Sequence, residues 1–321
     1  MTFQELLAAL EPFGGIYLAG HVHPDGDCVG SAVGLAGLLE KAGKRARILM
    51  REIPGTLEFL YQEQPGLLLE EPDGPVEALV VLDSGDPERL GEYEPYFHQA
   101  KCTVNIDHHA SNAFFAMHNV VDEHASSTSE MVFRMLEEGA GDYRLLDDST
   151  AQALYTGIVY DTGAFKHSNT GRRTHEAAGR LIEFEFPATE IIDRMFYYKS
   201  LQAIRVQGEA IRNLQTHRGN RIVLSYVTQS FLDTLGAEKK DVEGIVQILN
   251  DIEGTDCAIF LYGLGDQLYK ASLRSKGRVD VCAVASGFGG GGHKKAAGCT
   301  MQGPLEESIR SLLQAVGGQL E

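Results

Sequence analysis

Four short segments carry carboxylates and imidazoles at spacings that suit metal-ion chemistry. The first is His21-Val22-His23-Pro24-Asp25-Gly26-Asp27. Asp25 and Asp27 flank a glycine, which permits a tight turn that aims both carboxylates at one point. His21 lies four residues before Asp25, at the end of a predicted strand. Carboxylate oxygens with an imidazole suit Mn²⁺ or a similar divalent ion. Taken alone, Asp25 and Asp27 equally suit turn formation and helix capping. The second segment is Asp83, directly after the apolar run Ala78 to Leu82; alone it also reads as an N-cap. The third is Asp107-His108-His109, directly after Thr103 to Ile106. Three titratable residues at the mouth of a core strand are hard to explain by packing. Adjacent histidines point to opposite sides of an extended chain. One can hold a metal while the other faces a ligand or is held by a neighbouring carboxylate. The fourth is Asp161, at the end of a predicted helix, where the helix dipole disfavours an acid and a bound cation offsets the cost.

Charge links these pieces. Asp25, Asp27, Asp83 and Asp161 supply four negative charges, two divalent cations supply four positive ones, and His21 and His108 serve as neutral ligands. A neutral pair of ions can accept an anionic phosphoester, and ions about 3.5–4 Å apart stabilise both the attacking and leaving oxygens of a phosphoryl displacement. Six side chains do not fill two octahedral ions, so waters and substrate oxygens must complete them.

A fifth cluster lies near the C-terminus: Gly289-Gly290-Gly291-Gly292-His293-Lys294-Lys295-Ala296-Ala297-Gly298. Consecutive glycines let backbone N–H groups approach an anion closely. The run fits neither a phosphate-binding loop with its Lys-Ser/Thr ending nor a dinucleotide fingerprint with its distal acid. Ser272-Leu273-Arg274-Ser275-Lys276 is a basic partner for it. There Arg274 can grip a phosphate through two hydrogen bonds; a solvated basic strand is the alternative.

These residues need elements to hold them. Gly15 to Ala19, Arg45 to Met50, Ala78 to Leu82 and Thr103 to Ile106 read as strands. Helical spacing follows in Val29 to Ala42, Ser127 to Glu138, Asp147 to Val159 and Arg172 to Phe184. Strands separated by helices imply an α/β fold with a mainly parallel sheet flanked by helices. Ser127 with Glu130 resembles a capping box. Residues 189–216 read as one connector helix. Beyond it, Arg221 to Val227 and Ala258 to Tyr262 read as strands, and Val242 to Ile252 and Pro304 to Leu320 as helices. The expected organisation is a larger N-terminal domain, 1–188, the connector helix, 189–216, and a smaller α/β domain, 217–321.

The chain has 321 residues, with 28 basic and 45 acidic side chains and a net charge of −17. Such an acidic chain is a poor general binder of long DNA, because phosphate contacts dominate that affinity. The five cysteines, Cys28, Cys102, Cys257, Cys282 and Cys299, form no close pair. They read as buried small residues in a reducing compartment rather than as disulfides or a zinc site. No apolar run reaches the roughly 20 residues of a membrane span, and the first twelve residues lack the basic start of a signal peptide. A cytoplasmic location is expected.

Together, the HxxPDGD segment, Asp83, Asp107-His108-His109 and Asp161 resemble the DHH phosphoesterase superfamily. The segments around Arg274 and His293 resemble the DHHA-type accessory substrate-binding domain of one branch. In order, spacing and length the chain resembles the stand-alone oligoribonucleases and 3′-phosphoadenosine-5′-phosphate phosphatases of the NrnA type. The resemblance implies two divalent cations, Mn²⁺ foremost. His21, Asp25 and Asp83 would hold one; Asp27, Asp83, His108 and Asp161 would hold the other, with Asp83 bridging. His109 would contact the scissile phosphate and protonate the leaving oxygen, oriented by Asp107. Ser272, Arg274, Gly290, Gly291, Gly292 and His293 would bind the far end of the substrate. His23 departs from the pattern, which has asparagine there more often. The expected substrates are RNA oligomers of about two to five nucleotides and 3′-phosphoadenosine-5′-phosphate. A cyclic-di-AMP or pApA phosphodiesterase is the alternative within the class. A catalytically silent nucleotide-binding regulator is the alternative outside it, and would need a broken ligand set. Oligomeric state is open, with a homodimer compatible.

Overall fold

The computed structural model describes residues 1–64, 66–138 and 143–320. The chain divides into two compact units, Met1–Tyr198 and Lys199–Glu321, the last residue of the second lying outside the described residues.

The first unit runs α1 (Phe3–Leu10), β1 (Ile16–Ala19), α2 (Gly26–Lys41), β2 (Ala46–Leu49), β3 (Leu68–Leu69), β4 (Ala78–Leu82), α3 (Glu94–Gln99), β5 (Cys102–Asp107), β6 (His118–Val121), α4 (Thr128–Glu138), α5 (Asp148–Asp161), α6 (Arg172–Leu181) and α7 (Ala188–Ile192). Its six strands lie in the order β3-β2-β1-β4-β5-β6, and every pairing is parallel. The central strands are unbroken apolar runs because both faces are covered. Leu18, Val80 and Ile106 enter one core with α1, α2, α4 and α5. Tyr17, Leu79 and Val81 enter a second, smaller core with Leu90, Tyr93 and Phe97. Strand order reverses between β1 and β4, and such sheets bind ligands outside the carboxyl ends at that point.

The expected single helix over 189–216 is broken. After α7 comes a wide π turn, Asp193–Tyr197. Tyr198 is extended, and Ser200 then caps a new helix, α8 (Leu201–Arg212), its hydroxyl accepting from the Ala203 N–H at 2.9 Å. Serine competes poorly for helix interiors and well for N-caps. The last two residues of the expected helix, Gln215 and Thr216, open strand β7 (Gln215–His217) instead.

The second unit continues with β8 (Ile222–Val227), α9 (Gln229–Leu235), α10 (Ile245–Asn250), β9 (Cys257–Gly265), β10 (Leu268–Ser275), α11 (Val281–Ser286), β11 (Gly291–His293), β12 (Ala296–Gln302) and α12 (Leu305–Gly317). Its sheet is mixed, in the order β11-β12-β10-β9-β8-β7, with β8 and β9 parallel and the other pairs antiparallel. Leu224, Ile259 and Leu273 face a core shared with Val281, Val284, Leu312 and Val316. Val223, Ala258 and Phe260 face the other, with Val206, Leu232 and Leu249. No helix among the described residues is long and apolar enough to cross a membrane.

Candidate active site

Parallel register sets the site. Ala19 pairs with Val81, and Leu82 with Ile106, so the carboxyl ends of β1, β4 and β5 stand level. Asp83 follows β4 directly, Asp107 ends β5 with His108 and His109 beyond, and His21 lies two residues past β1. Asp83 adopts a left-handed backbone, φ 57°, while its N–H still bonds the Ile106 carbonyl at 3.0 Å. A non-glycine residue pays for that conformation and keeps it only where its surroundings fix it.

The Asp83 carboxylate is shared. Its Oδ2 lies 3.5 Å from His21 Nε2. Its Oδ1 lies 3.5 Å from His108 Nε2 and 3.7 Å from His109 Nδ1, and accepts the Thr128 hydroxyl at 3.2 Å. A second group forms around His108, whose Nε2 is 3.1 Å from Asp161 Oδ2 and 4.0 Å from Asp27 Oδ2. Asp27 is fully buried, and both its oxygens accept backbone N–H groups at the start of α4, from Thr128 at 2.6 Å and Ser129 at 2.9 Å. A helix N-terminus favours an anion there. Helix α5 can pass this close only because residue 157 is glycine: a Cβ on it would lie 2.6 Å from Asp27 Oδ1 and 1.9 Å from Ser129 Oγ.

The field at this point draws positive charge. Burial, then the charges of Asp83 and Asp161, push the Asp27 carboxyl well above its ordinary range. Burial works against a charged His108, but hydrogen bonds to Asp161 and Asp83 outweigh it and lift its pKa to about 11. Burial likewise opposes ionisation of Asp83, and hydrogen bonds from His108 and His21 hold its pKa below the usual value. A divalent cation meets the same demand more strongly than a proton. His21 Nδ1 sits 3.0 Å from the Val22 carbonyl; an N–H donated there leaves the Nε2 lone pair turned to Asp83, the arrangement of a ligating imidazole. Three overlapping groups of donor atoms lie within ligating reach: His21, Cys28 and Asp83; Asp83, His108 and His109; Asp27, His108 and Asp161. Imidazole nitrogens with carboxylate oxygens fit Mn²⁺ and similar ions.

The structure thus brings together His21, Asp27, Asp83, His108 and Asp161. Asp83 caps no helix; Asp86 caps the turn that follows it. Asp25 is in none of the three donor groups. Its Oδ1 caps α2, accepting from Asp27 N–H at 3.0 Å and Cys28 N–H at 3.1 Å. Burial and the charge of Asp83 raise its pKa, so it still senses the centre. Cys28, read from sequence as a buried small residue, is fully buried in the core, and its Sγ also lies within reach of His21 and Asp83; burial and the charges of Asp83 and Asp25 push its thiol well up. His109 Nδ1 is 2.6 Å from Asp107 Oδ1. Asp107 is fully buried, and its other oxygen accepts Asn112 Nδ2 at 2.6 Å. The sequence reading missed Thr128, Ser129 and Asn112. Ser127 does cap α4 through the Glu130 N–H at 3.0 Å, while Glu130 turns its own carboxylate to Ser126 and Thr174.

In the second unit, cross-strand register places Ser272 opposite Gly298, which faces Gly291, and Arg274 opposite Ala296, which faces His293. Lys270, Ser272 and Arg274 alternate along β10 and so share one sheet face. Gly291, Gly292 and His293 are exposed, and Arg274 Nη1 donates to the Leu273 carbonyl at 3.1 Å. Gly290 has a structural duty: its N–H bonds the Ala285 carbonyl at 2.9 Å, closing α11, and a Cβ there would lie 2.2 Å from the Gly298 oxygen. Its N–H is therefore committed to the fold.

Fold and site define a class: a two-unit α/β enzyme with a His/Asp centre at the switch point of a parallel sheet. Residues 15–158 match the DHH family, N-terminal domain, and residues 219–321 match the DHHA1 domain. The chain belongs to the DHH family of phosphoesterases. It is 32% identical to the bifunctional oligoribonuclease and PAP phosphatase NrnA of Thermus thermophilus, over 98% of this chain and 93% of that protein. It is 30% identical to the protein of the same description from Bacillus subtilis, over 92% of each. Among solved structures, an exopolyphosphatase-related protein from Bacteroides fragilis superposes with a TM-score of 0.85 at 25% identity, covering 98% of this chain and 95% of that one.

Proposed function

We propose that the enzyme is a phosphodiesterase that degrades short RNA oligomers, of about two to five nucleotides, to mononucleotides. We propose that it also removes the 3′-phosphate of 3′-phosphoadenosine-5′-phosphate. One observation carries the metal-centre part of this reading: Asp83 is shared between His21 on one side and His108 and His109 on the other. A carboxylate so placed suits two cations side by side, Mn²⁺ foremost. His21 and Asp83, with the oxygen of Asp25 not used in capping, would hold one; Asp27, Asp83, His108 and Asp161 would hold the other. When bound, the cations would neutralise the carboxylates and polarise the scissile phosphate.

The chain's own groups do the rest. Asp107 accepts Nδ1–H of His109, which leaves Nε2 to face the substrate. That hydrogen bond, then the charges of Asp107 and Asp83, raise the His109 pKa against its burial. His109 is thereby suited to give a proton to the leaving oxygen, while Asn112 fixes Asp107. Residues 1–188 form the catalytic domain in this reading and 217–321 the substrate-binding domain, joined through 189–216. Arg274, Ser272, Gly291, Gly292 and His293 bind the far phosphate. The −17 charge suits short substrates, because long tracks of backbone phosphate need basic surface. The setting is the cytoplasm.

The test is turnover with added Mn²⁺ on an RNA dinucleotide, a long RNA strand, 3′-phosphoadenosine-5′-phosphate and cyclic-di-AMP. Fast turnover of the first and third against the other two supports the proposal. Dominance of cyclic-di-AMP moves the role to second-messenger turnover. No turnover of any ester with metal present overturns it.

A further inference from the structure

A cavity of about 390 Å³ opens beside the His/Asp centre. His21 belongs to both: it lines the cavity, and its Nε2 lies 3.5 Å from Asp83. Met50 and Tyr93, each 5% exposed, form apolar walls, with Val22 beside them. The Tyr93 hydroxyl is committed to the Glu70 carbonyl at 3.2 Å, so the residue offers the cavity its ring rather than its polar end. Two lining residues hold left-handed backbones, His23 at φ 63° and Glu52 at φ 54°, and their side chains approach to 3.9 Å. Strain of this kind gathers at ligand sites. Arg51 also lines the cavity. Glu70, Glu71 and Glu92 surround it as ion-pair neighbours, with its buried Nε 3.5 Å from Glu70 Oε2.

These features select a ligand. The volume lies in the lower part of the range of small-molecule pockets, roughly 300–1,000 Å³. A thioether and an aromatic ring suit a flat, polarisable group. Acidic side chains around Arg51 and at Glu52 disfavour a further phosphate there. The Glu52 carboxylate accepts hydrogen bonds but cannot donate them, so it suits a donor such as an exocyclic amine or a sugar hydroxyl. Shared use of His21 puts any occupant next to the reacting phosphate.

We propose that this cavity is a nucleoside pocket. It takes the base and ribose of a nucleotide adjoining the scissile phosphate, and it prefers bases that carry an exocyclic amine. The proposal rests on the short-RNA reading for its substrate and on the cavity alone for its chemistry. It also gives His23 a place, as a wall of the pocket beside Glu52.

Two measurements test it on the full chain. In the first, adenosine and uridine are titrated against the metal-free protein by NMR. In the second, turnover of ApA and UpU is compared with Mn²⁺ present. The pocket predicts tighter binding of adenosine, and a kcat/KM for ApA about tenfold above that for UpU, the worth of one charge-assisted hydrogen bond. Glu52→Gln, at an exposed position, narrows that ratio to about twofold. Val22→Trp, also exposed, fills the cavity and abolishes nucleoside binding; a thermal melt checks its fold. Equal ratios in wild type and E52Q, with adenosine binding untouched by V22W, overturn the pocket. Failure to cleave either dinucleotide would instead remove the short-RNA reading, while the titrations would still decide the pocket.

Discussion

The two units place their polar residues in opposite ways. In the first, Asp27, Asp83 and Asp107 are at most 2% exposed, and each is held by at least one hydrogen bond of 3.2 Å or shorter. In the second, Gly291, Gly292 and His293 stand open on a sheet edge, and among the described residues Arg274 donates only to a neighbouring carbonyl. Burying a charge is costly unless it is paired and hydrogen-bonded, so the first unit spends stability on a fixed, desolvated constellation. Fixed dipoles and charges are what a developing transition state rewards. A face that captures one end of a substrate needs reach and tolerance more than rigidity. Under the proposed function, the contrast separates a unit built for chemistry from one suited to capture.

The largest effect expected from that division is at Asp83. Asp83→Ala should lower kcat on an RNA dinucleotide by about a thousandfold, the scale of removing a transition-state electrostatic group. Circular dichroism should show an intact fold; substantial turnover by the folded variant would remove Asp83 from the centre. Next is His109→Ala, which should cost about a hundredfold on the dinucleotide but only a few-fold on an ester with a 4-nitrophenolate leaving group, which needs no proton. Equal losses on both esters would show that His109 is not the acid.

Arg274→Ala sharpens the comparison from the other side. It should raise KM about tenfold and leave kcat within about twofold, the loss of one charge-assisted contact that binds without reacting. A collapse of kcat instead would break the division between units. The smallest effect is expected at Asp147, a carboxylate of the first unit that works only on the scaffold. It caps α5 through the Thr150 N–H at 2.9 Å and pairs with Lys41 at 3.0 Å. Partial burial opposes its ionisation, but hydrogen bonds from Thr150, Lys41 and Ser149 outweigh it and bring its pKa to about 2. A depressed carboxylate stabilises the fold above its unfolded pKa, near 3.9, and loses that contribution as pH falls through its folded value. Asp147→Ala should therefore cost about 1 kcal/mol in urea unfolding at neutral pH. The gap from wild type should close as the pH approaches 2, and turnover at neutral pH should be unchanged.

Strands buried on both faces were the most legible part of the chain. Ala78 to Leu82 matches β4 residue for residue, because an unbroken apolar run leaves a parallel strand little freedom. In the second unit, β11 was invisible, since Gly291–His293 carries no apolar pattern and owes its pairing to β12. The connector was misread because helical spacing runs through a break that one serine cap creates. Within the site, the residues at strand ends could be read, since a titratable group after a core run has few other uses. Thr128, Asn112 and Cys28 could not. Thr128 meets Asp27 across 101 positions of sequence, and local spacing holds no record of that approach.

The parallel sheet order has a kinetic consequence. The donor groups of the His/Asp centre come from residues 21 to 161, on segments that are not neighbours along the chain. Strand β1 sits between β2 and β4, and its pairing with β4 brings together residues about sixty positions apart. Contacts of such separation close slowly, because loop entropy is lost before they repay it. A partly folded chain can hold its helices and the early β1–β2 pair while possessing no centre at all. During refolding, regain of hydrolysis should lag behind regain of helical signal, so the enzyme is born inactive and switches on when β4 and β5 lock beside β1.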